Sequence, residues 1–323
     1  MMRAALIQLS KASWAQRLIT RWGVARTAAR RFVAGETPEE AIRAVQELNR
    51  RGILATVDQL GENTVTVRDA RQAAQEIERM LDLIHEAGAR SNLSLKLSQI
   101  GLLVDVDVCR ENLIRILEHA RGCQNFVRID MEDSALTDST IEMFREARAD
   151  GFENVGIVLQ AYLKRTEADL CQLLKLDARI RLCKGAYNEL ASVAFPQKAD
   201  VDTHYDYLAE VLLERIHDSR PDRLREAAGR NGLVPPIPAF ATHDPKRIAH
   251  VQSTADRLGL PRGAYEFQML YGIRRDLQES LAADGFPVRV YVPYGTHWYP
   301  YLMRRLAERP ANVWFMLSNT FRK

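Results

Sequence analysis

The chain has 323 residues, 46% of them hydrophobic, and a formal net charge of +3. That is enough for one large core or two modest ones, while no apolar run approaches the ~20 residues that cross a bilayer. The charge is uneven: residues 1–35 hold seven basic side chains (Arg3, Lys11, Arg17, Arg21, Arg26, Arg30, Arg31) and no acidic one, so the remainder is at −4 and offers no general basic surface for nucleic acid.

Residues 3–34 read as one or two helices broken near Gly23. Thr37-Pro38-Glu39-Glu40 is a capping box with proline at N1, and it starts a helix to Arg51 that Gly52 ends. A strand–helix rhythm follows. Strand Ile53–Leu60 precedes helix Val67–Ala87, and strand Leu93–Leu97 precedes helix Val108–Arg121. Next come Phe126–Met131 with helix Ser139–Ala149, Val155–Gln160 with helix Glu167–Leu176, and Ile180–Lys184 with helix Thr203–His217. Ile237–Thr242 leads into Asp244-Pro245, an N-cap with proline at N1, and a helix to Leu258. Tyr265–Leu270 precedes helix Arg274–Ala283. The last unit is a strand through Val288, Val290 and Val292 that ends at Pro293, then a Gly295 turn and a helix opening around Trp298 to Pro300.

Eight such units predict an α/β fold, a distorted TIM-type (β/α)8 barrel with a parallel sheet and extra N-terminal helices. The expected organisation is 1–50 as helices packing on the barrel and 51–323 as the catalytic barrel. A doubly wound open sheet is the alternative, disfavoured by the strand count and the lack of a composition break. Asp218–Pro238, with three prolines and two glycines between its ends, reads as a loop-rich insertion.

In such a barrel the chemistry sits at the carboxyl ends of the strands. Seven of the eight ends carry polar groups: Lys96 to Gln99, Arg128 to Asp133, Gln160, Arg181 to Tyr187, Thr242 to Asp244, Gln268 to Gly272, and Tyr291. Buried charges need partners, and Lys96 and Arg181 against Asp130 and Glu132 could supply them. On the last helix Tyr301, Arg304, Arg305 and Glu308 share one face. Two guanidiniums beside a phenol form a fork for a small carboxylate or phosphate; the plainer reading is a solvated face with an Arg304–Glu308 ion pair. Lys184 or Lys96 could also be a Schiff-base nucleophile of an aldolase-type lyase, and a catalytically silent binding barrel is a further alternative. His243 has neither a second histidine nor a carboxylate at ligand spacing. Cys109, Cys123, Cys171 and Cys183 form no CxxC and lack a histidine at such spacing, so no metal site is expected. With no secretory h-region, reduced cytoplasmic thiols are expected instead. No G-x-G-x-x-G occurs, so a dinucleotide would have to lie across the barrel mouth.

Taken together, Lys96, RIDMED (Arg128–Asp133), VLQ (Val158–Gln160), RLCKGAY (Arg181–Tyr187), FATHD (Phe240–Asp244), EFQMLYG (Glu266–Gly272) and RVYVPYG…YLMRRLAER resemble the proline dehydrogenases of the monofunctional bacterial kind. They cover strands two to eight in order. Neither the ribbon-helix-helix segment nor the aldehyde dehydrogenase domain of bifunctional relatives is expected. Asn188 stands where those often carry an aromatic residue, and Cys183 takes a usually aliphatic place. The resemblance implies oxidation of L-proline to Δ1-pyrroline-5-carboxylate, hydride transfer to FAD and a membrane quinone as acceptor. A separate pyrroline-5-carboxylate dehydrogenase would take the product. It further implies that Arg304 and Arg305, with Lys96, grip the proline carboxylate, and that Leu270, Tyr291 and Tyr301 enclose the ring. Asp130 would hold Lys96 and the arginines in place, and Arg181 would touch the flavin. Asp130, Met131, Gln160, Lys184, Gly185, Ala186, Tyr187, Thr242, His243 and Glu308 would contribute to the FAD site.

The basic N-terminal arm, with Ile7, Trp14, Leu18 and Trp22, suggests contact with an anionic membrane surface, which would make the protein cytoplasmic but peripheral to the inner membrane. The plainer alternative is that these helices pack on the barrel and pair with its net negative surface.

Overall fold

The computed structural model describes residues 29–218, 232–236 and 238–308. The helices expected before residue 29, and most of the Asp218–Pro238 insertion, lie outside them. Thr37 caps helix α1 (Pro38–Arg50): its hydroxyl accepts from the Glu40 amide, and the Glu40 carboxylate accepts from the Thr37 amide. Ala41, Ile42, Val45 and Leu48 form the buried stripe of α1, which packs across strands β1 and β8.

The strands and helices then alternate: β1 (Leu54–Gln59), α2 (Val67–Glu86), β2 (Ser91–Leu95), α3 (Val106–Gly122), β3 (Val127–Ile129), α4 (Thr137–Ala149), β4 (Val155–Gln160) and α5 (Thr166–Leu174). The second half continues with β5 (Arg179–Cys183), α6 (Lys198–Asp218), β6 (Pro238–Ala241), α7 (Pro245–Arg257), β7 (Glu266–Leu270), α8 (Arg275–Ala283), β8 (Val288–Tyr294) and α9 (Trp298–Glu308). All eight strands are parallel and close into one barrel in chain order, with Thr56 of β1 paired to Tyr291 of β8. The (β/α)8 expectation holds, and the open-sheet alternative does not.

Most ends shift by a residue or two and the helix expected at Thr203 starts earlier, at Lys198; three of the strand differences have physical reasons. β2 begins and ends two residues early, so Lys96 and Leu97 stand beyond the ladder. The expected Phe126–Met131 strand shortens to three residues because Asp130 and the groups after it turn into the mouth. β8 runs past Pro293 to Tyr294: proline lacks only a donor, and the Tyr294 carbonyl still accepts from the Leu60 amide at 2.7 Å.

The two faces of the barrel wall differ in kind. Outward residues such as Val57, Leu95, Ile129, Ile157, Leu182, Phe240, Phe267 and Val290 are buried with the helix faces in one apolar shell. The inner face is largely polar. Arg289 of β8 is fully buried and meets Glu266 of β7 (2.9 and 3.1 Å), the Ala55 carbonyl (2.8 Å) and the Gly232 carbonyl (2.7 Å). Arg128 of β3 lies over the Phe126 ring and donates to the carbonyls of Arg179 and Ile157. Gly156 of β4 makes room for it: a Cβ there would lie 2.7 Å from Arg128 Nη1 and 2.5 Å from the Arg179 carbonyl oxygen. Usual TIM-barrel interiors are filled by branched apolar side chains; here the apolar work is done outside the wall.

A second apolar cluster seats α9. Trp298, Tyr299, Leu302, Met303 and Leu306 bury against Ala29, Phe32, Val33 and Leu60. The chain just before α1 is tied to the same place, since the Ala34 amide donates to the Pro293 carbonyl and the Gly295 amide to that of Gly35, both at 2.9 Å.

Candidate active site

The carboxyl ends of the strands and α9 surround a cavity of about 350 Å³. Every site residue named from the sequence lines it except Glu308, whose side chain lies outside those described. Five Lys or Arg side chains and three carboxylates face this space, a balance that favours an anionic guest.

At its floor Lys96 Nζ lies 3.1 and 3.2 Å from the two Asp58 oxygens, 3.5 Å from the Tyr291 hydroxyl and 3.8 Å from Asp130. Tyr291 donates to Asp130 Oδ2 at 2.8 Å. Arg181 reaches across the barrel to the other Asp130 oxygen, and also to Ser94 Oγ and Gln268 Oε1, both at 3.2 Å. Its guanidinium stands over the Tyr291 ring. Burial works against the Lys96 ammonium, but Asp58, Asp130 and Glu62 outweigh it and hold its pKa above the usual value. Burial pushes the Asp58 carboxyl up to about 6 against the pull of Lys96.

Two expected pairings are corrected. Asp130 holds Lys96 and Arg181, but Arg304 is held by Glu62 from the β1–α2 loop, at 2.7 and 3.3 Å. Burial of Glu62 opposes its charge, yet Arg304 and then Lys96 keep it below the ordinary carboxylate range. Glu132 does not pair with the cations; its carboxylate takes the Ser98 amide at 3.0 Å and the Ser98 hydroxyl. Arg305 is buried with its guanidinium 5.1 Å from the centre of the Tyr301 ring.

The β4–β6 side of the cavity is built by a loop rather than by free side chains. Gln160 spans from the Glu132 carbonyl (2.8 Å) to the Ala186 amide (3.3 Å), fixing the Gly185–Ala186 turn. Gly185 has φ +128° and sits against the Tyr162 ring, where a Cβ would come within 2.2 Å. Lys184 is clasped by Asp202 and by Asp244 (2.8 Å), while Asp244 also caps α7 through the Lys246 amide. His243 Nε2 accepts from the Leu270 amide at 2.9 Å. Schiff-base chemistry needs a neutral amine, whereas the carboxylates around Lys96 favour its ammonium form, so this residue gives the lyase alternative no support.

Asp58, Glu62 and Ser94 were not among the residues expected from the sequence, whereas Gln268 stood among the polar strand ends. Asp58 alone left a local signal, as a carboxylate inside an apolar strand.

Parallel barrel and charged mouth define a protein of the TIM-barrel class with a pocket whose cations suit a small carboxylate. The comparisons with known proteins narrow this. The proline dehydrogenase family profile matches residues 41–318. Proline dehydrogenase 1 of Bacillus subtilis is 39% identical over 323 residues, all of both chains. Proline dehydrogenase of Deinococcus radiodurans is 42% identical over 294 residues, covering 90% of this chain and 89% of its own. Among solved structures, proline utilization A from Bdellovibrio bacteriovorus, inactivated by N-propargylglycine, superposes with a TM-score of 0.78 at 25% identity. The match covers 88% of this chain and 33% of that one, so the present chain spans about a third of that protein's length. The chain belongs to the proline dehydrogenase family, a family of flavoenzymes.

Proposed function

We propose that the chain oxidises L-proline to Δ1-pyrroline-5-carboxylate with FAD as hydride acceptor, the first step of proline breakdown. The observation that carries this is the meeting, in one cavity, of Lys96, Arg304 and Arg305 with Leu270, Tyr291 and Tyr301. The cations fit a carboxylate, and the apolar and aromatic walls fit a five-membered ring. A fork fixed this way converts binding into orientation, which supplies much of the lowering of a barrier.

The residues present fit a flavin. The pinned Gly185–Ala186 turn, Thr242, His243 and the ion-held Lys184 offer amide, hydroxyl and cationic donors, and Arg181 is fixed from three sides at the floor. Bound FAD supplies a two-electron acceptor; the ring C5 of proline gives up hydride and its nitrogen a proton. Arg181 and Lys96 place positive charge where negative charge develops. Asp130 is engaged by Arg181, Ser94 and Tyr291, so it acts as an anchor for the cations rather than as a base. Leu270 and the tyrosines keep water from the reacting carbon. The electrons then pass to a membrane quinone, and the product to a separate pyrroline-5-carboxylate dehydrogenase.

The visible spectrum of the purified protein tests this. A yellow protein whose flavin bands bleach on anaerobic addition of L-proline is expected. A colourless protein, or bands indifferent to proline, would overturn the reading.

A further inference from the structure

Far from the mouth lies a cluster of ligand-type side chains that the chemistry does not use. Helices α2 and α3 run antiparallel to the strands, so their last turns meet at the opposite rim of the barrel. There Asp82 of α2, His119 of α3 and Cys123 at the end of α3 bring a carboxylate oxygen, a ring nitrogen and a sulfur within 4.8 Å of one another. Asp82 Oδ1 and His119 Nε2 are already 2.6 Å apart. The sequence reading found no histidine at ligand spacing from a cysteine. That was wrong: His119 and Cys123 are one helical turn apart, and the Cys123 amide donates to the His119 carbonyl at 3.1 Å.

The plainer explanation is a half-exposed ion pair with a thiol nearby. Two observations go beyond it. First, nitrogen, sulfur and oxygen at bond lengths of about 2.0–2.3 Å around a tetrahedral ion stand roughly 3.3–3.8 Å from each other, and the three atoms here already fall within 4.8 Å. Second, Cys123 also lines a cavity of about 560 Å³ at this rim, and all three side chains are partly exposed, so solvent reaches the cluster. A Cys-His-Asp nucleophile is a poor alternative, because activation requires a lowered thiol pKa. Burial and then the Asp82 charge raise that of Cys123, a cost that a bound cation offsets by its own charge and a nucleophile would have to bear alone.

We propose that Asp82, His119 and Cys123 form a binding site for a borderline divalent cation, zinc(II) foremost, with water as the fourth ligand. The metal–sulfur bond forms as the thiol proton leaves to solvent, and no redox step is involved. The ion ties α2 to α3 at the end of the barrel remote from the substrate.

The test uses the full-length, untagged protein with its flavin, and zinc chloride alone as the probe. Calorimetric titration should show one zinc per chain. Zinc should also slow alkylation of Cys123, followed by peptide mass spectrometry, at least tenfold while leaving exposed Cys171 unprotected. His119→Gln and Cys123→Ala should each weaken binding at least tenfold with zinc-free proline oxidation unchanged. Asp82→Asn, which can keep a hydrogen bond to His119, should weaken it too and serves if either other variant fails to fold. Zinc uptake with the same stoichiometry and affinity in the variants, or no protection of Cys123, would overturn the proposal.

Discussion

Arg304 and Arg305 differ in their surroundings, and that sets what their removal should do. Arg304 is held at the rim by Glu62, and Arg305 is buried against Tyr301. On the proposed function, replacing either by methionine deletes a charge-assisted contact with the proline carboxylate of about 2–5 kcal/mol. The expected outcome is a KM for proline raised by roughly 30-fold to several thousandfold, with flavin still bound; near-unchanged KM in both variants would remove the fork. Asp58 supports a pH prediction. Its folded pKa of about 6 lies above the unfolded value near 3.8, so the native state holds this proton more tightly. Its contribution to stability is therefore greatest below about pH 4 and is lost as pH rises through 6, to the extent of roughly 3 kcal/mol. Asp58→Asn should flatten the fall in melting temperature across that window; an equally steep fall in the variant would assign it to another group. At this scale the sequence was half legible. Residue types at strand ends located the pocket's cations, because ends are local features. Two of their counter-charges were not legible: Asp58 and Glu62 reach Lys96 and Arg304 only once distant parts of the chain close.

Elements were read more reliably than contacts, since period and caps are written within each segment. The Thr37 and Asp244 caps, the full extent of β4 and the eight-fold count all came from local pattern. What local pattern could not show is that the inner face of the wall is polar. Lys96 and Arg181 read as strand-end groups, while Arg289 and Glu266 gave no sign of a salt bridge inside the barrel. Gly156 belongs to this hidden layer. Gly156→Ala would press a methyl into the Arg179 carbonyl, the Phe126 ring and the Arg128 guanidinium. The expected cost is about 1–3 kcal/mol, read as a lower denaturation midpoint. A variant as stable as wild type would mean that Arg128 has slack to move, and that the layer is looser than its contacts indicate.

For the whole molecule, the proposed membrane quinone calls for a contact with the bilayer surface, since no described helix is long and apolar enough to cross one. We propose that the basic arm before residue 29 rests on anionic lipid. The adjoining residues Ala29, Phe32 and Val33 pack under α9, which favours packing on the barrel for that short stretch, so the test must spare them. Full-length protein should co-sediment with anionic vesicles at low salt and release at high salt. A chain beginning at Ala29, lacking five of the seven basic residues, should bind less. Equal binding by both chains, or binding indifferent to salt, would take the arm out of consideration.

The pairing of β1 with β8 has a bearing on how the protein is made. The ribosome delivers Asp58 and Lys96 early, but the arginine fork follows the strand that closes the ring. Until that strand has emerged, the nascent barrel is an open sheet with carboxylates and an ammonium on an unclosed face, and such non-local pairing is slow to form. Proline therefore cannot act as a template for the earlier steps of folding. Catalytic competence arrives at one late moment of synthesis, and chains stalled before β8 should be inert and exposed to proteolysis rather than partly active.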